Sequence, residues 1–456
     1  MGRSASGGMA IAAIASAAIA CGGRTTVHVE PTSPDAASVT GDSGPEVDSG
    51  HDSAMPDAAA DASYEQDVAS EDVQWPAIPG DPWRQYRHDA RRTGLSTVTV
   101  ASHPIFAWSA DLECKSYDVA PVVDATGNVY VAACGVVWSL DNKGAVRWRE
   151  PEVLGDAGWA PYLAIALTSD DRLVAVDVIE SSVKVLEPTG KLVHATNLPN
   201  EGNLGALLLS ADNSVYITST GPALDSVRLH AINEAGALLW SADLAQSAQI
   251  RGLSADNEGN VYVAIAQWAG AEWTTLVKKV SADGKGAWTQ TWLGLGFEPV
   301  VAASGRAWLA LHTTAKEAPN LVLLDLASEQ ALAKIENVGL VAPLPALGQD
   351  QILYVGTPWG LSAWAPNGDK LWMVGSLESK AMDLWTGPVL SADGTVIVSD
   401  TIGFLHGIRD KKIAWSYQRD WQDEPDPNGM LGDQVAIGPD GTIYAGSYSG
   451  LLYALR

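Results

Sequence analysis

Positive charge is scarce in this chain: among 456 residues, 28 Lys and Arg stand against 54 Asp and Glu, a net charge near −26. A surface of that sign repels phosphate backbones and argues against a nucleic-acid partner. Cysteine is scarcer, with only Cys21, Cys114 and Cys134 and no adjacent pair. The eight His are scattered without metal-ligand spacing. No His-Glu-x-x-His, no phosphate-binding Gly-rich loop followed by Lys and Ser or Thr, and no Gly-x-Ser-x-Gly occurs. Long apolar runs are also missing. The run from Met9 to Ala20 holds twelve residues, short of the roughly 20 that a spanning helix needs.

What is present begins with a leader. Arg3 precedes the Ala/Ile run, and "AIAC" ends it at Cys21, the pattern of a bacterial secretion signal over residues 1–20. Two endings are open: cleavage by an ordinary signal peptidase after "AIA", or a lipobox whose Cys21 thiol receives the lipid. The segment that follows favours the lipid anchor. From Gly22 to Gly80 the chain is Ala, Asp, Ser, Pro, Gly and Glu without periodicity, with 12 acidic residues and one basic, Arg24. Such a composition cannot bury enough apolar surface to fold. Residues 21–79 therefore read as a disordered acidic tether, reaching roughly 45 Å as a flexible coil.

Behind the tether, over residues 80–456, one phrase recurs. Its turn positions are Asp124, Asp170, Asp212, Asp256, Ser304, Asp350, Asp393 and Asp440, spaced by 42 to 48 residues. Periods of that length with short alternating strands signal a β-propeller of four strands to a blade. Each unit closes on Gly, three residues, then Trp, as in Gly144 to Trp148, Gly236 to Trp240, Gly284 to Trp288 and Gly368 to Trp372. The glycine makes the last turn and the Trp is expected to pack on the neighbouring blade. His194 takes the Trp place in one unit, and the stretch near Leu332 has no Trp at all, so those blades are expected to be looser. The eighth unit lacks its Trp strand. "HPIFAWSADL", His103 to Leu112, supplies it from before the first unit, which closes the ring without leaving that edge exposed. The expected fold is all-β: an eight-bladed propeller whose last blade is completed through Trp108.

The Gly-x-x-x-Trp ending, together with "WRQYRHDARRTGLS" from Trp83 to Ser96, resembles the pyrroloquinoline-quinone-like propeller repeats. That group includes the quinoprotein alcohol dehydrogenases and the propeller lipoprotein of the outer-membrane β-barrel assembly machinery. A dehydrogenase would imply a quinone, a Ca²⁺ ion, a catalytic Asp and a disulfide between adjacent cysteines; the missing adjacent pair argues against it. No cofactor and no metal are therefore expected. The basic cluster Arg84, Arg87, His88, Arg91 and Arg92 is either an anion site or, as favoured here, part of a lead-in whose Trp83 and Tyr86 cover the propeller while its charges face water.

The expected role is a non-enzymatic binding scaffold in the cell envelope, with outer-membrane protein assembly as its narrower version. It would be monomeric, with an envelope protein as partner, and would touch membrane only through Cys21. Gly22, in place of the Asp that retains inner-membrane lipoproteins, favours the outer membrane. The alternative is a quinoprotein-like enzyme or small-ligand receptor using the channel mouth. Cys114 falls in a link between blades and Cys134 at a middle turn on the same face, so a disulfide is expected, worth roughly 3 kcal/mol for a loop of this size. The residues just before the inner strands converge on the mouth at that face. They include Asp118, Trp159, Asn203, Arg251, Glu298, Trp385 and Asp433, a mixture of aromatic area and polar anchors suited to a ligand or partner. The other reading of these residues is that they plug the channel.

Overall fold

The computed structural model describes residues 82–456, except 114–119, 134, 151–164, 179, 199–200, 222–225, 271, 314, 316–317, 339–343, 358, 376–386, 401–402, 419–430 and 448–449, and the side chains of 287 and 431–434. Cys21, Cys114, Cys134, Asp118, Trp159 and Trp385 lie outside the described residues, and only the backbone of Asp433 is described. Among the described residues there is no helix, and hence none long and apolar enough to cross a membrane.

Eight small antiparallel sheets form a ring. Each is a meander from the axis outward; in the second blade the strands are Ile165–Leu167, Leu173–Asp177, Ser182–Leu186 and Leu192–Asn197. Burial follows from the stacking. The inner strands are covered on both faces by neighbouring blades, so they read as near-continuous apolar runs, as in Leu173–Asp177. The outermost strands alternate, half-buried against exposed, as in Leu192–Asn197. In the fifth blade the inner strand is broken into Leu295–Gly296 and Val300–Val301, both paired with Arg306–His312.

The eighth blade is closed by the two ends of the folded region. Phe106–Asp111 pairs antiparallel with Leu451–Leu455, Trp108 opposite Ala454, outside Ile443–Ser447 and Leu431–Ile437. The strand expected to complete the last unit does so.

Two expectations about the repeat are refined. Three of the blade tryptophans, Trp108, Trp148 and Trp240, pack on the neighbouring blade at the turn glycine itself. A Cβ on Gly144 would fall 2.7 Å from the Trp108 ring, and one on Gly190 2.9 Å from Trp148. Each indole N–H then donates to a carbonyl two residues before that glycine: Trp108 to Asn142 at 3.1 Å, Trp148 to Pro188 at 2.9 Å, Trp240 to Ala282 at 3.0 Å. His194 keeps the place over Gly236 but is smaller, and a cleft lined by Arg172, His194, Asn213 and Glu234 opens beside it. At the fifth blade Glu329 replaces the glycine with φ +61°, and the facing Trp288 Nε1 has no acceptor among the described residues.

The second refinement is a correction. The eight turn positions read from the sequence are not equivalent. Asp124 and Asp256 open their turns, and each holds an Asn side chain four residues on, at 2.7 and 2.8 Å. Asp170, Asp212 and Asp393 stand two residues later and accept from the Thr168, Ser210 and Ser391 hydroxyls that open theirs. A hydroxyl and a carboxylate can exchange places in such a turn because either satisfies its free N–H groups.

Candidate functional site

The inner strands all end at the same face, beside the turns that lead to the second strand, and their last N–H points to the axis. A buried N–H there needs an acceptor. One segment supplies it blade by blade. Val123 donates to the Trp83 carbonyl at 2.8 Å, and Leu167 to Arg84 at 2.6 Å. Leu209 N–H is met by the Gln85 side chain at 3.1 Å, which also donates back to the Leu209 carbonyl at 2.9 Å. Ala255 donates to Ala90 at 2.7 Å, Val301 to Arg91 at 3.0 Å, Leu347 to Thr93 at 2.9 Å and Leu390 to Gly94 at 2.8 Å. These are equivalent positions in the first to seventh blades. At the eighth, Gly441 leaves room for the Thr99 carbonyl, which a Cβ would approach to 2.6 Å. The segment follows the circle by repeated bends, with positive φ at Arg87, His88, Arg92 and Gly94.

This overturns the expected lead-in. Trp83 and Tyr86 are covered, but the charges do not face water: Arg87 is 3% exposed and Arg92 1%. Arg92 donates through Nε to Leu253 O at 2.8 Å, through Nη1 to Tyr86 O at 2.6 Å, and through Nη2 to Leu207 O at 2.7 Å. Carbonyls of the third and fourth blades and of its own segment thus share one guanidinium. Arg87 donates to Pro345 O at 2.8 Å and lies against Gly94 and Gly387, where a side chain would collide with it. Arg84 reaches the turn of the second blade through Thr168 O and the Asp171 carboxylate, 2.7 Å away. The cluster was legible as basic; its inward aim was not, because carbonyl acceptors leave no mark in a sequence.

Of the mouth residues, the structure brings Arg251 and Glu298 to the channel. Glu298, on the fifth blade, is 5% exposed and packs over Gly252, whose lack of a side chain makes the room. Its Oε1 has no hydrogen-bond partner among the described residues. Burial pushes its carboxyl up, opposed by Arg92, Arg87 and Arg251, while burial lowers Arg92 against the attraction of Glu298. Arg251 lies within the inner strand Gln249–Ala255 and stacks on Phe297, 4.3 Å from the ring centroid. Asn203 sits exposed at the rim, its N–H on Thr220 Oγ1 at 3.0 Å.

No protein-family model matches the sequence. No curated protein matches it. Solved structures do: the quinohemoprotein alcohol dehydrogenase of Comamonas testosteroni is 13% identical with a TM-score of 0.57, covering 83% of this chain and 81% of that one. Quinohemoprotein alcohol dehydrogenase ADHIIG of Pseudomonas putida HK5 is 11% identical with a TM-score of 0.58, covering 83% and 80%. The chain has their propeller fold. At these identities the likeness is one of architecture, which carries many activities. Among the described residues, no three His, Cys, Asp or Glu side chains gather where they could hold a metal ion.

Proposed function

We propose that this chain is a non-enzymatic binding scaffold of the cell envelope, anchored through Cys21 and meeting its partner on the face that carries the blade-to-blade links. The observation that carries this reading is the filled axis: the turn side of the channel is occupied by the chain's own Trp83 to Val100. The other face presents aromatic anchors. Trp268 and Trp359 stand at the tips of the middle hairpins of the fourth and sixth blades, 52% and 57% exposed. Trp268 is braced edge-on by Trp273, with ring centroids 5.3 Å apart. Rigid, exposed indoles are the commonest energetic centres of protein interfaces. Service in outer-membrane protein assembly, from the outer membrane, is the narrower form of the proposal.

The test is capture of partners from solubilised membranes by the wild type and by Trp268→Ala with Trp359→Ala. Loss of the captured protein from the double variant, with folding intact, supports the reading. Undiminished capture moves the surface elsewhere. A second reading, a small-ligand receptor at the mouth, is favoured by the buried Glu298 Oε1, which has no partner among the described residues. Mass spectrometry of molecules released on denaturation decides it: a compound lost in Glu298→Gln supports a receptor, and its absence leaves ordered water to fill the site.

A further inference from the structure

The link into the third blade ends on a buried polar chain. Glu201, just before the inner strand Leu204–Leu209, has a side chain only 4% exposed and is ion-paired with Arg228. Its Oε2 accepts from Ser219 Oγ at 2.8 Å. Ser219 Oγ lies 2.8 Å from His230 Nε2, and His230 Nδ1 lies 2.7 Å from Ser241 Oγ. The carboxylate fixes the direction, because it can only accept. Ser219 gives its proton to Glu201, so it receives one from His230 Nε2–H, and in the neutral ring Nδ1 accepts from the Ser241 hydroxyl.

We propose that His230 is a proton-operated latch on the link at Glu201 to Asn203, holding it while neutral and releasing it when protonated. Protonation turns both ring nitrogens into donors, so the Ser241 hydroxyl must reverse, and it places a charge at a site 1% exposed. Among the described residues, the charged groups facing the ring are few. Glu201 Oε2 is 3.9 Å from Nε2 while its other oxygen, Oε1, serves Arg228, and Arg228 itself repels, being bound on its other side to Asp243 at 2.8 Å. Burial accordingly holds the imidazole below its ordinary range, with Glu201 opposing and Arg228 adding. Opening the link relieves the buried charge. What opens is short: Gly202 N–H on Thr220 O at 2.7 Å, Thr220 N–H on Asn203 O at 2.9 Å, and Asn203 N–H on Thr220 Oγ1. The seventh blade holds an internal control. His406 has Ser416 Oγ on Nδ1 at 2.8 Å but the Asp400 carboxylate directly on Nε2 at 3.1 Å, so a proton there meets its counter-charge.

Hydrogen exchange of the full chain, normalised to the unfolded rate at each pH, tests the latch. In the wild type, protection at Gly202, Asn203 and Thr220 should fall below the ordinary histidine range, about pH 6.5, by up to about tenfold per pH unit for one proton. His230→Gln should remove that dependence and His406→Gln should keep it. Equal loss in His230→Gln, or no loss in the wild type, overturns the proposal. Should His230→Gln fold poorly, the wild-type ring decides by NMR. Coincidence of its titration with the amide changes supports the latch; titration without them, or none above about pH 4, refutes it.

Discussion

Trp108 lies across the Cα of Gly144, so the strand that closes the eighth blade is clamped by the first. A Cβ on Gly144 would come within 2.7 Å of the indole, and φ there is +85°. Gly144→Ala should therefore cost both a collision and left-handed strain, about 2–3 kcal/mol together. Gly394 has φ +77° with nothing within 4 Å, so Gly394→Ala should show the strain alone, about 1 kcal/mol. Urea midpoints of the two variants check this; equal losses would mean that the ring contact contributes nothing.

Arg92 joins the third and fourth blades through Leu207 O and Leu253 O. Arg92→Met should leave those buried carbonyls and that of Tyr86 without a donor, at about 3 kcal/mol or more. Arg92→Lys should rescue little, since an ammonium cannot reproduce the planar fork. A thermal melt of the lysine variant matching the wild type would refute the bridging role.

A chain beginning at Pro82 keeps every contact described here and should remain a soluble propeller. One beginning at Glu113 loses both the axial segment and the strand Phe106–Asp111, baring the edge of Leu451–Leu455. It should aggregate. Size-exclusion chromatography of the two separates the outcomes, and equal solubility would contradict the closure.

Glu298 supplies a pH dependence of definite sign. Its folded-state carboxyl titrates above the unfolded value because of burial. Its contribution is thus full in acid and is lost as pH rises through the folded value. Glu298→Gln should gain stability relative to the wild type from about pH 4 upward, read as the difference in urea midpoints at successive pH values. A difference that falls with pH would show that Arg92, Arg87 and Arg251 outweigh burial.

The blades were readable because their signals are local. The turn glycines, the strands between them and the closing role of Trp108 follow from short-range patterns. The turn register was misread at Asp170 because Thr168 can do what Asp124 does. Trp83 to Val100 defeated the reading for a different reason. It has no periodicity, and its partners are backbone atoms of strands far along the chain. Of the expected mouth residues, Arg251 and Glu298 meet in the channel, yet their companions Arg87 and Arg92 were assigned to water. A buried cation whose acceptors are carbonyls has no complementary acid to betray it.

The path of the axial segment also sets a schedule. Trp83 to Val100 and Phe106–Asp111 emerge from the ribosome before any of the blades, but their seats are the inner strands of successive blades and the late strand Leu451–Leu455. Early blades can form hairpins as they are made, yet the hoop that ties them must wait for nearly the whole polypeptide. Contacts so distant along the chain make assembly slow. A nascent chain of this kind cannot close its ring until its last strand, Leu451–Leu455, has been made.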